Sequence, residues 1–170
     1  MEQNEETKKK SFKEKLVNFY KLNKIKSYIL ISFIFFGIIS TFFLKYINEK
    51  NNILTAEKYI QAGIYLSLKK NENAKNLFEE IILSKNKFYS ILALNNIIEN
   101  DLIEDKEKIL NYFNLLEENS KLKKNKDLIK LKKALFLIKN SEEKNASKLL
   151  NNLITNNSNF KSIAQDLLEK

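Results

Sequence analysis

The hydrophobic positions of this chain follow two different patterns on the two sides of residue 52. Before it, residues 27–44 (SYILISFIFFGIISTFFL) form a run of consecutive positions without a charged side chain. After it, apolar residues recur every three or four positions, which is the period of an amphipathic helix and not of a strand. The pattern therefore predicts an all-α protein in which one uniformly apolar helix precedes a set of amphipathic helices.

The uncharged segment has the length of a membrane-spanning helix. Rising about 1.5 Å per residue, it reaches about 27 Å, close to the roughly 30 Å hydrocarbon core of a bilayer. Its few polar atoms are the hydroxyls of Ser32, Ser40 and Thr41, which can bond to helix carbonyls. The alternatives are a buried helix of a soluble protein and a cleaved signal peptide. A long preceding segment and the lack of a small-x-small cleavage pattern favour an uncleaved anchor.

Flanking lysines indicate the orientation of this anchor. Residues 12–26, before it, contain five lysines, and residues 45–59, after it, contain three. Because the lysine-rich flank of a span stays in the cytoplasm, we expect a single-pass membrane protein with a cytoplasmic N-terminus and a C-terminal domain on the outside, which is the periplasm in a Gram-negative bacterium. The expected divisions are a basic cytoplasmic tail, a transmembrane helix, a juxtamembrane linker and a helical-repeat domain, at residues 1–26, 27–45, 46–54 and 55–170. Within the tail, residues 11–26 have the spacing of a short basic amphipathic helix; a flexible tail is the alternative.

The region after residue 52 is divided by short asparagine-rich stretches. They separate seven predicted helices, at residues 55–69, 73–84, 87–99, 103–118, 126–139, 142–155 and 159–169. The chain contains 24 Asn, no Pro and, in this region, a single Gly. We therefore expect asparagine to supply the left-handed residues at helix ends and many of the N-caps.

Two stretches of the helical region repeat at a fixed sequence offset of 72. AGIYLSLKKNENAKNLFEEII begins at Ala62, and ALFLIKNSEEKNASKLLNNLI begins at Ala134. Small residues let paired helices approach closely, and the larger residues beside them fill the groove. The predicted repeat-packing residues are Ala62, Tyr65, Ala74 and Phe78 in the first unit and Ala134, Leu137, Ala146 and Leu150 in the third. A middle unit, with Ile109 and Phe113 at such positions, fits loosely.

These positions resemble the tetratricopeptide superfamily, whose helix pairs repeat about every 34 residues. The layout over residues 11–170, a short charged N-terminus, one span and then the repeat, looks like the membrane-anchored proteins related to the ancillary subunit of the SecYEG translocon (the YfgM-like family). The resemblance implies a right-handed tetratricopeptide-like α-hairpin array of about three pairs plus a capping helix. It also implies a single span in the inner membrane with the repeat domain in the periplasm. The implied partners are translocon subunits, a membrane-anchored periplasmic chaperone and unfolded client proteins.

Composition argues against an enzyme. The chain has no His, Cys or Arg, so the common nucleophile–base pairs and the His/Cys metal sites are missing, and no glycine-rich phosphate loop occurs. We expect no enzymatic activity, no cofactor and no metal. Of the net charge of +9, residues 1–26 supply four, from eight Lys and four Glu. We also expect no nucleic-acid binding, because Arg is absent and the domain is expected outside the cytoplasm.

One basic cluster has several possible roles. It comprises Lys121, Lys123, Lys124 and Lys126, in a predicted loop. It is either a solvated linker or a contact for lipid headgroups or an acidic partner.

The predicted partner surface is apolar. In tetratricopeptide arrays the first helix of each pair lines the concave face. Transferring the concave-face positions of such arrays to this sequence predicts a groove lined by Tyr59, Leu66, Leu94, Ile98, Leu131, Leu135 and Ile138. The helix over residues 126–139 is apolar on more than one face, which indicates either a core covered by the closing helix or a groove for an apolar segment of a partner.

The predicted function is thus a membrane-tethered protein–protein interaction module, a periplasmic accessory of the inner-membrane export machinery that binds a chaperone or emerging clients beside the lipid bilayer. The alternatives are a scaffold for cell division or envelope assembly and a non-catalytic accessory subunit of another membrane complex.

Overall fold

The computed structural model describes residues 23–169 together with Glu14 and Val17. Within this part of the chain there are seven α-helices and no strand, so the predicted all-α class is confirmed. The helices are α1 (Lys24–Ser67), α2 (Asn71–Leu83), α3 (Tyr89–Glu99), α4 (Lys106–Asn119), α5 (Lys123–Lys139), α6 (Glu143–Thr155) and α7 (Lys161–Leu168). Most of the basic tail, with the amphipathic helix predicted over residues 11–26, lies outside the described residues. The chain divides into two compact units, residues 1–51 and 52–170.

Helix α1 is longer than the sequence pattern predicts. It runs without a break from Lys24 to Ser67, so residues 46–54 are helical and the expected helix start at residue 55 does not exist. The reason is local: no Gly or Pro occurs between Gly37 and Gly63. The asparagines at 48, 51 and 52 cost a helix only a few tenths of a kcal/mol each.

Helix α1 is apolar and exposed over residues 27–44, of which only Ser27 is buried. This is one helix that is long and apolar enough to cross a bilayer, with a mean hydropathy of 2.2 over its most apolar 18 residues. The Thr41 hydroxyl donates to the Ile38 carbonyl at 2.7 Å, as expected for a hydroxyl in an apolar helix.

In the compact unit of residues 52–170, the helices α2 to α7 follow one another and each contacts the next. The buried side chains of this unit form two clusters. The larger cluster joins residues 62–116 to Ile129 and Phe136 of α5. The smaller joins another face of α5, through Leu131, Ala134 and Leu137, to α6 and α7. Helix α5 is therefore apolar on more than one face because it packs on α4 on one side and on α6 on the other.

The sequence predicts asparagine at the left-handed helix ends, but asparagine occupies few of them. Among the described residues, five non-glycine residues have positive φ, and only the last of them is Asn: Lys69, Lys85, Asp101, Ser141 and Asn157. Asparagine instead occupies the C-cap position just before three of them. There its side-chain amide donates to the carbonyl four residues earlier, at 2.9 Å for Asn100, 2.8 Å for Asn140 and 2.9 Å for Asn156.

Asparagine is also not the main N-cap of these helices. The N-cap residues of α2 to α7 are Lys70, Phe88, Asp105, Leu122, Glu142 and Phe160. Only Asp105 accepts a capping bond from within its own helix, from the Lys108 N–H at 3.1 Å. Asn86, which precedes α3, caps the start of this helix: its Oδ1 accepts hydrogen bonds from the N–H groups of Phe88 and Tyr89.

Candidate functional site

The predicted groove is only partly a surface. Leu94 and Leu131 are 1% and 6% exposed and belong to the two core clusters. The structure thus corrects their assignment: they face neighbouring helices and present no side chain to a partner. The tetratricopeptide positions were transferred by spacing alone, and a shift of one residue on a helix rotates a side chain by about 100°.

Tyr59 is engaged within the fold. Its hydroxyl accepts from Asn96 Nδ2 at 2.9 Å. Its ring centroid lies 5.8 Å from that of Phe78 and 5.6 Å from that of Tyr89. The half-buried Leu66 packs against the same cluster. These two residues therefore hold α1, α2 and α3 together, and little of either side chain is free.

The accessible remainder lies on α5. Leu135 and Ile138 are 43% and 37% exposed, and their spacing of three places them on one helix face. A cavity of about 260 Å³ opens between the C-terminal ends of α3 and α5, with Ile98 and Phe136 in its wall. Its rim carries charge, because Asp101 pairs with Lys139 of α5 at 3.3 Å. Of the seven predicted groove residues, only Ile98 lines this cavity.

The repeat-packing residues lie where close helix contact requires them. Seven of the eight are at most 3% exposed, and Tyr65 packs partly buried against the larger cluster. Residues related by the sequence offset are buried alike, as in Ala62 with Ala134 and Phe78 with Leu150. In the middle unit, Ile109 and Phe113 are buried as well. The same small and large positions thus build successive helix contacts.

A polar cluster between α2 and α4 is not evident in the sequence. Glu79 accepts a hydrogen bond from the Tyr112 hydroxyl at 2.9 Å and pairs with Lys108 Nζ at 2.5 Å. Burial raises the pKa of Tyr112 well above its usual value, and the hydrogen bond from its hydroxyl to the negatively charged Glu79 raises that pKa further. The cluster connects α2 and α4, the second helices of the first and middle repeat units, which are not adjacent in sequence.

An exposed apolar stripe on α1 is also not predicted as a surface. Ile60, Ile64 and Leu68 are all more than half exposed, and steps of four residues place them on one side of the chain. Their signal is present in the sequence, since residues 59–68 are apolar on more than one face. Within residues 52–170 this stripe adds a second apolar surface to that of α5.

The described residues contain no cluster of three or more acidic, His or Cys side chains that could hold a metal ion. No protein-family model, curated protein or solved structure matches the chain.

Proposed function

We propose that this chain is a membrane-tethered protein–protein interaction module, an accessory of the protein export machinery whose helical domain lies in the periplasm. The observation that carries the proposal is the uncharged run over residues 27–44 of α1, of which only Ser27 is buried. A helix this apolar and this exposed is stable in lipid, because it satisfies its own backbone hydrogen bonds and its side chains match the hydrocarbon. The flanking lysines support the cytoplasmic placement of the N-terminus.

We further propose that the helical domain is a tetratricopeptide-like array. Burial supports this, because small residues at 62, 74, 134 and 146 and large residues at 78 and 150 are equivalent in the first and third units. The middle unit departs from the pattern. Its two helices are joined by a loop over residues 100–105, and a cavity lies beside this loop. Arrays of this kind bind proteins on their exposed faces.

The partner surface that we propose is the exposed face of α5 with Leu135 and Ile138, together with the cavity that Ile98 lines. Apolar side chains with a charged rim suit an apolar segment of a translocon subunit, a membrane-anchored chaperone or an unfolded client. A tether increases the local concentration of the domain where such clients emerge, so a weak surface suffices. The layout of residues 11–170 supports the export machinery over a division or envelope scaffold.

Photo-crosslinking in intact membranes tests this function. A photoreactive residue at Leu135 is expected to capture export-machinery subunits or secreted chains. The matched control is the same residue at Ile163 of α7, which is 46% exposed and outside the proposed surface. Capture of cytoplasmic proteins alone would refute the localisation. Capture of division proteins alone would favour the scaffold.

A further inference from the structure

The loops of the helical domain gather at two opposite edges. At one edge, Asn86 Nδ2 donates to Asn52 Oδ1 at 2.9 Å. A cavity of about 230 Å³ joins residues 85–87 to residues 119–122, and Lys123 Nζ donates to the Asn156 carbonyl at 2.8 Å. These contacts bring three loops, residues 84–88, 120–122 and 156–160, into one row that begins beside Asn52. We call this row the proximal edge.

The remaining three loops form the distal edge. They comprise residues 68–70, 100–105 and 140–142, at the other ends of the same helices. The ion pair of Lys139 with Asp101 and the cavity between α3 and α5 connect two of them directly. Ser67 ends α1 fifteen residues after Asn52, which separates the first loop of the distal edge from the proximal edge by about 22 Å along the helix.

The two edges carry opposite charge. The loops of the proximal edge contain three lysines and no acidic residue: Lys85, Lys87 and Lys121. Lys123, Lys124 and Lys161 follow in the first turns of α5 and α7. The loops of the distal edge contain two lysines and four acidic residues: Lys69, Lys70, Asp101, Glu104, Asp105 and Glu142. This asymmetry is not apparent along the sequence, where the two acidic loops, residues 100–105 and 140–142, lie among the others, and it arises only when the helices place alternate loops at opposite edges.

The proximal edge combines this charge with exposed apolar side chains. Lys85, Lys87 and Lys121 line the cavity of this edge and have no ion-pair partner among the described residues. Next to them, Phe88 and Leu122 are 62% and 64% exposed. The nearest acid in the sequence, Glu118, lies in α4, two residues before the loop.

Helix dipoles do not cancel the positive charge of the proximal edge. Three helices end there (α2, α4 and α6) and three begin there (α3, α5 and α7). The half-charges of equal numbers of C-termini and N-termini sum to about zero. The lysines of this edge therefore attract a negatively charged partner.

We propose that the proximal edge docks on the anionic headgroups of the membrane that holds α1. Lysines beside protruding aromatic and aliphatic side chains fit the boundary between headgroups and acyl chains. The row is open and extends along three loops, which fits a flat anionic surface better than a single peptide segment. Asn52 follows Leu44 by eight residues, which rise about 12 Å in a helix, so only a short stretch of chain separates the edge from the proposed span. The inference rests on the proposed membrane span.

A single tryptophan reports this docking, because the chain has no Trp. The full-length Phe88→Trp variant is reconstituted in bilayers of neutral phosphatidylcholine and in bilayers with added anionic phosphatidylglycerol. With anionic lipid, the introduced indole is expected to show blue-shifted emission and quenching by brominated acyl chains. In about 1 M salt, where the Debye length falls to about 3 Å, both effects should disappear. The matched control is Leu68→Trp at the distal edge, which should respond in neither bilayer.

Lysine variants measure the charge dependence of docking. Each change among Lys85→Gln, Lys87→Gln and Lys121→Gln, made in the Phe88→Trp chain, should lower the ratio of docked to undocked domains about fivefold. Leu122→Trp is the second reporter, should Phe88→Trp disturb the fold.

Two outcomes would overturn the inference, and they are distinguishable. A chain that is lost from floated bilayers after an alkaline wash overturns the span and the docking together. An embedded chain in which both tryptophan reporters, Phe88→Trp and Leu122→Trp, emit identically in the two bilayers overturns the docking alone. An acidic protein then becomes the partner of this edge.

Discussion

Tyr112 donates its hydroxyl proton to Glu79 at 2.9 Å, and this bond connects α4 to α2. Lys108 balances the carboxylate, with its Nζ 2.5 Å from the same oxygen and 6.0 Å from the centroid of the Tyr112 ring. The cluster supplies a polar, geometrically specific contact between units whose other contacts are mostly apolar. It therefore predicts how the stability of the domain responds to alkaline pH.

Because the pKa of Tyr112 is raised in the folded state, its contribution to stability is complete below the unfolded-state pKa of about 10 and is lost as pH rises toward the folded-state pKa. Tyr112→Phe should reduce the free energy of unfolding by about 1–2 kcal/mol at pH 7. It should also weaken the alkaline loss of stability relative to the unmodified chain. Thermal unfolding followed by circular dichroism between neutral and alkaline pH measures both effects.

The control for this variant is Tyr65→Phe, since the Tyr65 hydroxyl meets the amide of Gln61 and not a carboxylate. Equal alkaline slopes for Tyr112→Phe and the unmodified chain would contradict the assigned hydrogen bond.

The small residues at helix contacts should not tolerate enlargement. Ala74 and Ala146 are 0% and 1% exposed, so Ala74→Leu and Ala146→Leu should each destabilise the domain by about 1–3 kcal/mol through overpacking. Gly63→Ala is the control, because a Cβ there meets no atom within 4 Å. That change should stabilise α1 by up to about 1 kcal/mol. Chemical denaturation measures all three, and a neutral Ala146→Leu would show that the third unit does not pack like the first.

The left-handed helix ends are expected to be suboptimal. Lys69 and Ser141 have φ of 56° and 62°, a region that costs an L-residue with a Cβ roughly 1–2 kcal/mol. Lys69→Gly and Ser141→Gly should therefore raise the denaturation midpoint. Asn157→Gly should raise it less, because asparagine tolerates this conformation. Lys70→Gly, at a φ of −87°, should produce no gain; a gain equal to that of Lys69→Gly would contradict the explanation.

Substitutions on different faces of α5 should distinguish effects on partner binding from effects on stability. Leu135→Ser with Ile138→Ser should weaken partner capture and cost less stability per residue than a core substitution, because the two side chains are 43% and 37% exposed. Leu131→Ala, only four residues before Leu135, should cost about 2–5 kcal/mol of stability. Capture from gently solubilised membranes, compared with thermal unfolding, measures the two effects. Undiminished capture by the double variant would exclude this face.

The elements that follow from sequence are those set by local spacing. Apolar periodicity predicts each of the helices α2 to α7 to within a few residues, and the sequence offset identifies Ala62, Ala134 and their neighbours without any structure. Both signals depend on which residues can share one helix face.

What sequence could not predict depends on contacts between distant residues. The burial of Leu94 and Leu131 reflects which face each helix turns toward its neighbour. The engagement of Glu79 depends on Tyr112, on another helix. The charged edges require knowing where each loop lies. The linker over residues 46–54 is expected from sequence because asparagine usually marks helix ends, but without Gly or Pro the helix continues through it.

The central claim is that lipid surrounds the apolar part of α1 and that the helical domain lies beyond it in the periplasm. Alkaline extraction of membranes carrying the full-length chain, with a C-terminal reporter that is active only in the periplasm, tests both parts in one measurement. The account predicts that the chain stays in the membrane pellet with an active reporter. It also predicts that Phe36→Lys, which places a charge mid-span at a cost of about 2.5–3.5 kcal/mol, reduces both signals. A full-length chain recovered in the supernatant, or a pelleted chain with a silent reporter, would contradict it.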